Sequence, residues 1–255
     1  MRYSANLNII IKAIEKASIH ISRDFVELEN LQSNPASCAK FASSCYNRIK
    51  QILVDDFTKF RPDFNITFSD GQKIINHENS EYSLLIHVID GIENLLRASG
   101  DFTVSIALIH KNGAKNETIS LAISKVIGGE LFYSEKGFGA YLNNRRIRVS
   151  KRNKSSDFLV ACDDINHLKN LEKVDSKELF KTEVSGDKIP ETKIPETKMP
   201  RNLGCKTLDI AYFSCSRFDK LIHNKSDLYE PFLLLVRESG GRIIDDGHKI
   251  IVSNN

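Results

Sequence analysis

This sequence contains no apolar run long enough to cross a membrane. Its longest runs, such as residues 232–236, fall far short of the roughly 18 residues that a membrane helix needs. Its N-terminus has no charged start leading into an apolar core and a small-residue cleavage site, so we expect no signal peptide. The five cysteines show no C-x-x-C spacing, which favours reduced, buried thiols over a disulfide framework. These absences predict a cytoplasmic protein with no membrane partner.

The chain also lacks a strong charge imbalance and the short motifs of several common enzyme classes. Its 36 basic residues are nearly matched by 33 acidic ones, and the net charge of +3 does not by itself indicate nucleic-acid binding. A P-loop, a G-x-S-x-G elbow and an H-E-x-x-H motif are all missing, so nothing points to the chemistry that they support. The length of 255 residues and the 41% hydrophobic content predict a globular protein with a sizeable core.

Hydrophobic periodicity divides the first part of the chain into helices followed by strands. Apolar residues recur at helical spacing over residues 4–29, and a second helix is predicted to end before Pro62. Runs rich in β-branched residues follow, and Asn143-Asn144 is typical of a hairpin turn. The predicted strands lie at 65–69, 83–89, 102–110, 119–126 and 130–134.

The polar residues 150–156 predict a boundary inside one unit that spans 1–255. It would separate an N-terminal α+β half (1–150) from a C-terminal α/β half (151–255). The C-terminal half is predicted to have strands at 158–161 and 217–222, with helices around 208–215 and 227–239. The second of these helices stops at Gly240-Gly241, a glycine pair typical of a helix C-terminus.

A tandem repeat interrupts the C-terminal half. Lys-Ile-Pro-Glu-Thr occurs twice over residues 188–197, followed by Lys198-Met199-Pro200. Prolines spaced by five residues block both helix and sheet, so we predict an exposed, disordered insertion near 185–200. A docking motif is an alternative interpretation of the same repeat.

The most informative stretch is Leu84 to Leu95, LLIHVIDGIENL. An apolar strand there delivers Asp90 to a glycine turn at Gly91. This stretch resembles the metal-binding signature of the inositol monophosphatase family, W-x-x-D-P-[IL]-D-G-T-x-N-F. The second aspartate, the glycine and the asparagine of that signature are retained here. The first aspartate is replaced by His87, and the threonine is replaced by Ile92.

Further matches to the family occur in the same order along most of the chain. Residues 130–143 resemble its E-x-G-x-G-A-x-x-N segment, and Gly204 to Asp209 resembles its G-S-A-A-L-D pattern. Residues 22–32 are similar to the N-terminal helix of the bacterial extragenic suppressor branch. The chain is therefore identified as a member, and the resemblance implies an αβαβα sandwich with mixed sheets. It also implies Mg²⁺-dependent hydrolysis of small phosphomonoesters and a homodimer.

The resemblance further implies which residues belong to the remnant of the site. A metal site would draw on Asp70, His87, Ile89, Asp90, Asp227 and Glu230. Substrate would lie near Gly91, Gly204 and Lys206. We expect Asp70, Asp90 and either Asp227 or Glu230 to converge, although each acid is also typical of a turn or a helix start.

Several ligands that the family chemistry needs are missing. No acidic residue occurs between Glu29 and Asp55, where the first carboxylate of the family lies. Asp70 stands in place of a G-E-E turn, and His87 offers imidazole where Mg²⁺ prefers a carboxylate. His87 as a ligand for a softer metal such as zinc is an alternative to a packed histidine. On the helix that follows Asp227, bulky residues replace small ones, which favours a refilled pocket.

Three hypotheses follow from the retained fold and the damaged site. The first is a family member with lost or severely weakened hydrolysis that keeps a binding or scaffold role. A transcription-factor or RNA-polymerase partner is implied by the bacterial branch, whose members are associated with antitermination. The second is an active phosphatase with an altered metal or substrate, and the third is a decaying gene product without a selected function. The basic residues of 145–154 offer a surface for a partner under the first hypothesis.

Overall fold

A computed structural model describes residues 4–113, 115–154, 158–163 and 200–254. Its helices are α1 (Ala5–Leu31), α2 (Pro35–Phe60), α3 (Ile92–Leu96), α4 (Lys206–Ser214) and α5 (Leu234–Ser239), and a 3₁₀ turn (Glu230–Leu233) precedes α5. The first strands are β1 (Asn65–Phe68), β2 (Lys73–Ile74), β3 (Tyr82–Asp90), β4 (Thr103–Asn112), β5 (Lys115–Lys125) and β6 (Glu130–Glu135). The others are β7 (Gly139–Leu142), β8 (Arg145–Ile147), β9 (Val160–Cys162), β10 (Lys220–Asn224), β11 (Arg242–Asp245) and β12 (Lys249–Ser253). No helix in these ranges is long and apolar enough to span a membrane.

The strands form two mixed sheets. The large sheet has the order β2-β1-β3-β4-β5-β6-β7-β8, in which only β1 and β3 pair in parallel. The small sheet has the order β11-β12-β10-β9, in which β9 and β10 are parallel. Both sheets therefore combine parallel and antiparallel pairs, and the predicted layered α/β class with mixed sheets is confirmed.

Two apolar cores lie on opposite faces of the large sheet because successive strand residues point to opposite sides. Ile106 and Ala122 face the first core, beneath α1 and α2, whereas Ala107 and Leu121 face the second. The second core is completed by α4, the 3₁₀ turn, α5 and the small sheet, which contribute Phe213, Phe232, Leu235 and Val252 respectively. Helices α4 and α5 thus lie between the two sheets and carry residues toward the end of β3.

The predicted turns agree with the structure, but two C-terminal elements differ from the prediction. Asn143 and Asn144 both have positive φ, and Gly240 ends α5 in the left-handed region. The helix predicted at 227–239 begins only at 230, because residues 226–229 form a turn in which Tyr229 N–H donates to Ser226 O. The strand predicted at 217–222 runs over 220–224, since Arg217 N–H closes the turn after α4 by donating to Tyr212 O. The repeat at 188–197 lies outside the described residues.

Candidate functional site

The candidate site is built around the end of β3, where the chain must turn sharply. A one-residue bulge interrupts the pairing of β3 with β4 between His87 and Asp90. Gly91 follows with φ of +84°, and a Cβ at that position would lie 3.0 Å from both Asp101 O and Cys205 Cβ. Glycine is therefore required for the backbone angle and for the close approach of the C-terminal half.

Both carboxylate oxygens of Asp90 are occupied by donors from the C-terminal half. Oδ2 accepts from Thr207 N–H at 2.8 Å and from the Thr207 hydroxyl at 2.7 Å, and the Cys205 thiol lies 3.4 Å away. Oδ1 accepts from the Tyr229 hydroxyl at 3.1 Å. The side chain is only 8% exposed. Asp90 therefore acts as a buried anion at the N-terminal end of α4, where backbone N–H groups favour negative charge.

A chain of hydroxyl groups continues from this carboxylate into the large sheet. Because the single Thr207 hydroxyl proton goes to Asp90, that hydroxyl accepts from Thr103 Oγ1 at 2.6 Å. Ser105 Oγ lies a further 3.1 Å from Thr103 Oγ1. Such buried networks are strong when every member is satisfied. We call Asp90, Thr103, Cys205, Thr207 and Tyr229 the Asp90 cluster.

His87 is a packed residue with its proton directed at a backbone oxygen. Its Nε2 lies 2.9 Å from Leu228 O, and since a carbonyl can only accept, Nε2 carries the hydrogen. The ring contacts Tyr229 at 4.9 Å and meets the edge of Phe232 at 5.2 Å between centroids. Burial lowers the pKa of His87 below its ordinary value, and the opposing effects of Asp90 and Leu228 O do not overcome this. The imidazole is therefore neutral at neutral pH.

Lys206, predicted near substrate, is held by an acid of the C-terminal half. Its Nζ lies 2.7 Å from Asp163 Oδ2 and 5.2 Å from the centroid of the Tyr229 ring. Asp163 also accepts from Asn224 N–H at 2.9 Å. The other two residues predicted near substrate, Gly91 and Gly204, flank Asn94, whose amide bridges Asp101 O and Leu203 O. This side of the site is closed by contacts between the two halves of the chain.

Asp70 contacts α2 rather than the Asp90 cluster. Its Oδ2 accepts from Lys50 Nζ at 2.5 Å and from the Tyr46 hydroxyl at 3.0 Å, and its Oδ1 accepts from Gln72 N–H. Burial alone would raise the pKa of Asp70, but the hydrogen bonds from Lys50 and Gln72 outweigh it and hold the pKa below its ordinary value. Asp70 is thus an ion-paired turn residue.

In the described part of the chain, Asp70, Asp90 and the acids of 227–230 are not grouped as a metal-binding set. Asp227 and Glu230 are exposed and line an open groove of about 780 Å³ next to Lys115, Lys136 and Arg237. Ile89 is buried in the first core. Across 4–113, 115–154, 158–163 and 200–254, no three His, Cys, Asp or Glu side chains are grouped so that they could hold a metal ion.

The donor set at the end of β3 does not fit Mg²⁺. This ion needs near-octahedral oxygen ligands at short distance and gives up its water reluctantly. A Mg²⁺ ion at Asp90 would compete with Thr207 and Tyr229 for the same two oxygens, and a displaced donor would lose its partner. His87 presents an N–H group to Leu228 O and offers no oxygen.

The sequence analysis missed the residues that close the site. No sequence motif points to Tyr229, and Thr207 appears only within the stretch that resembles G-S-A-A-L-D. The available signal was the replacement of the second alanine of G-S-A-A-L-D by Thr207, which adds a hydroxyl donor. A buried pair, His223 Nε2 to Asp209 Oδ2 at 3.0 Å, was missed as well. These partners are far from Asp90 in sequence, so local patterns could not reveal them.

The neutral, buried state of His87 predicts a pH-dependent stability. Its folded pKa is below the ordinary value of 6.5, so the unfolded chain binds a proton more readily below that pH. The stabilisation is complete above pH 6.5 and is lost as the pH falls toward the folded pKa. Between neutral and mildly acidic pH, the free energy of unfolding should fall by up to about 1.4 kcal/mol per pH unit.

The control for this pH dependence is His87→Gln, whose amide can still donate to Leu228 O but does not titrate. Urea unfolding of both proteins as a function of pH measures the difference. We expect the variant to lose less stability than the wild type on acidification. Parallel curves for the two proteins would contradict the assignment.

The chain is similar to known proteins over most of its length. The family model "Inositol monophosphatase family" matches residues 3–248. The chain is 29% identical over 248 residues to an inositol-1-monophosphatase of Rhizobium meliloti, covering 94% of this chain and 85% of that protein. It is 28% identical over 241 residues to the Nus factor SuhB of Xylella fastidiosa, covering 94% and 81%.

The fold is similar to solved structures as well. The extragenic suppressor protein suhB of Bartonella henselae superimposes with a TM-score of 0.77 at 28% identity, covering 99% of this chain and 95% of that one. An inositol monophosphatase of Anabaena gives a TM-score of 0.71 at 18% identity, covering 98% and 90%. Because the family model matches nearly the whole length of this chain, the chain belongs to the inositol monophosphatase family.

Proposed function

We propose that this protein has lost, or keeps only severely weakened, Mg²⁺-dependent phosphomonoesterase activity and serves as a binding or scaffold protein. The observation that carries the proposal is the state of Asp90. Its two oxygens are bonded by Thr207 and Tyr229. A metal ion at this carboxylate would have to compete with those donors, and a displaced donor would be left without its partner. The lack of an acid between Glu29 and Asp55 and the histidine at position 87 support the same conclusion.

The binding role is supported by the names of the relatives. The chain is 28% identical to a protein called Nus factor SuhB and 29% identical to one called inositol-1-monophosphatase. A transcription-related partner is compatible with a closed site, because holding a partner requires the fold and a surface but no turnover. A homodimer belongs to this proposal, and sedimentation giving a single 28.8 kDa species at micromolar concentration would contradict that part of it.

The test is a Mg²⁺ titration of the full chain with inositol 1-phosphate as substrate. We expect no Mg²⁺-dependent release of phosphate and no rise in Tm, since a ligand far below its Kd adds almost nothing to stability. The Rhizobium meliloti relative serves as the positive control for the assay. Asp90→Asn and Asp55→Asn are measured beside the wild type, because Asp55 is an exposed acid of α2 outside every candidate site.

One outcome of this experiment would show that the protein is an active phosphatase. If the wild type releases phosphate and Asp90→Asn does not, while Asp55→Asn keeps the wild-type rate, then Asp90 is a working ligand. The protein would then be an active phosphatase with an altered metal site, and the proposed loss of activity would be wrong.

A further inference from the structure

A run of basic residues lies at the end of the large sheet, away from the Asp90 cluster. Residues 145–154 contain six Lys or Arg residues and no acid. They form β8 and the segment that follows it, and all six basic residues are exposed. The whole chain is nearly neutral at +3, so this density of one charge is a local feature.

One of the six cations has a structural role, and the other five are free in the described ranges. Arg152 donates to the buried Asp219 Oδ1 at 2.8 Å and to Ser216 O at 3.1 Å, which fixes the segment against the C-terminal half. None of the other five forms an ion pair with any described residue. We call these five the basic edge: Arg145, Arg146, Arg148, Lys151 and Lys154.

The basic edge borders a shallow groove with space for a strand of polymer. The groove measures about 540 Å³ and is lined by three basic-edge residues, Arg146, Arg148 and Lys151, together with Cys215 and Ser216. Positive side chains along a groove attract a polyanion whose charges repeat along its length.

An exposed aromatic residue lies in the turn that contacts Arg146. Phe138 is 68% exposed in the turn between β6 and β7. The Glu238 carboxylate holds that turn by accepting from Gly137 N–H and Gly139 N–H, both at 2.7 Å. Arg146 lies directly over Gly139, since a Cβ there would be 3.1 Å from its Nε. The turn held by Glu238 therefore exposes the Phe138 ring. The next residue, Gly139, lies under the unpaired guanidinium group of Arg146.

We infer that the basic edge and Phe138 form a binding surface for single-stranded RNA. The cations contact successive phosphates, and an unpaired base stacks on Phe138, which is the combination that single-stranded nucleic acid requires. An acidic peptide would use the cations but would leave the ring uncovered. The choice of RNA over DNA rests on the transcription-related binding role proposed above, and the surface itself is independent of the Asp90 cluster.

The experiment uses the full chain and a fluorescent RNA of about 12 nucleotides, with binding followed by anisotropy at low and at physiological salt. The triple variant Arg145→Glu, Arg148→Glu, Lys151→Glu should bind roughly tenfold or more weakly, and its log–log salt dependence should be shallower by about 2. The matched control is Lys12→Glu, Arg23→Glu, Lys40→Glu, an equal charge reversal at exposed positions of α1 and α2. It should bind as the wild type does.

A second pair of variants tests the ring without changing the charge. Phe138→Ala should weaken binding roughly fivefold or more with an unchanged salt dependence, because stacking on an aromatic ring is not ionic. Phe60→Ala is its control, since Phe60 is 56% exposed at the end of α2. Circular dichroism and Tm show that each variant is folded, and the ring pair provides the test if the charge reversal does not fold.

Four results would overturn the inference: no RNA binding by the wild type, equal loss in the matched controls, tighter binding of the same sequence as DNA, or displacement of the RNA by poly-glutamate at equal charge concentration. The assay measures no hydrolysis. Mg²⁺-dependent turnover by the wild type would therefore refute the proposed loss of activity and leave RNA binding in place. A protein that neither hydrolyses nor binds RNA would refute this inference alone.

Discussion

Replacing Asp90 with alanine is expected to lower the free energy of unfolding by about 3 kcal/mol. The substitution leaves three donors without an acceptor, namely Thr207 N–H, the Thr207 hydroxyl and the Tyr229 hydroxyl. Water cannot easily replace the carboxylate, because Thr207 is fully buried and Asp90 is 8% exposed. The measurement is urea unfolding in the presence of a chelator, so that no metal contributes.

If Asp90 stabilises the fold through these hydrogen bonds, variants that remove fewer of them should lose less stability. Asp90→Asn keeps one oxygen for Thr207 and should cost about 1 kcal/mol, as should Tyr229→Phe, which removes one donor. A carboxylate whose main role is in a metal cluster behaves differently, since removing it without metal relieves repulsion between like charges. Unchanged or increased stability of Asp90→Ala would therefore refute the structural role of the Asp90 cluster.

Restoring an acid at position 87 is expected to harm the protein rather than repair it. His87→Asp removes the N–H group that meets Leu228 O and places a second carboxylate near Asp90. It also removes the ring that packs on Tyr229 and Phe232. We expect the free energy of unfolding to fall by about 3 kcal/mol, because an unpaired acid is buried beside an acid and a carbonyl oxygen.

The informative comparison is the response of this variant to Mg²⁺. Since Asp70 is paired with Lys50 and Asp227 is exposed, a restored acid gains no third ligand from them. Millimolar Mg²⁺ should therefore leave the Tm of His87→Asp unchanged, as it leaves that of His87→Gln. A rise of several degrees in the aspartate variant alone would mean that the remaining ligands can still assemble, and the proposed loss of the metal site would be wrong.

The sequence predicts most helices and turns because the residue patterns that specify them are local. The periodicity of α1 and α2 predicted both helices to within a few residues, and the hairpin at Asn143-Asn144 followed from residue types that tolerate positive φ. The start of the last helical region was misjudged because the acids near 227 fit a helix N-terminus. In the structure, Ser226 O accepts from two N–H groups and closes a separate turn before Pro231.

The candidate site was predictable only in part. Resemblance to the family identified His87 and Asp90 as remnants, and the structure places both at the end of β3. What they contact was not predictable, because Asp90 meets Thr207 and Tyr229 across 117 and 139 residues of sequence. The predicted convergence assumed that an acid keeps its direction after its neighbours change. Asp70 instead found Lys50 and Tyr46 on α2.

The second core has a consequence for how the chain is synthesised. Among the described residues, the face of the large sheet that carries Leu121, Ile123 and Phe132 is covered by elements of the C-terminal half. At about 5 to 20 residues per second, translation from Glu135 to Ser239 takes on the order of ten seconds. For that interval the nascent chain presents an apolar sheet face to the cell. Translation that stops before Lys206 therefore yields a product prone to aggregation, and supply of the folded protein depends on the last fifth of its message.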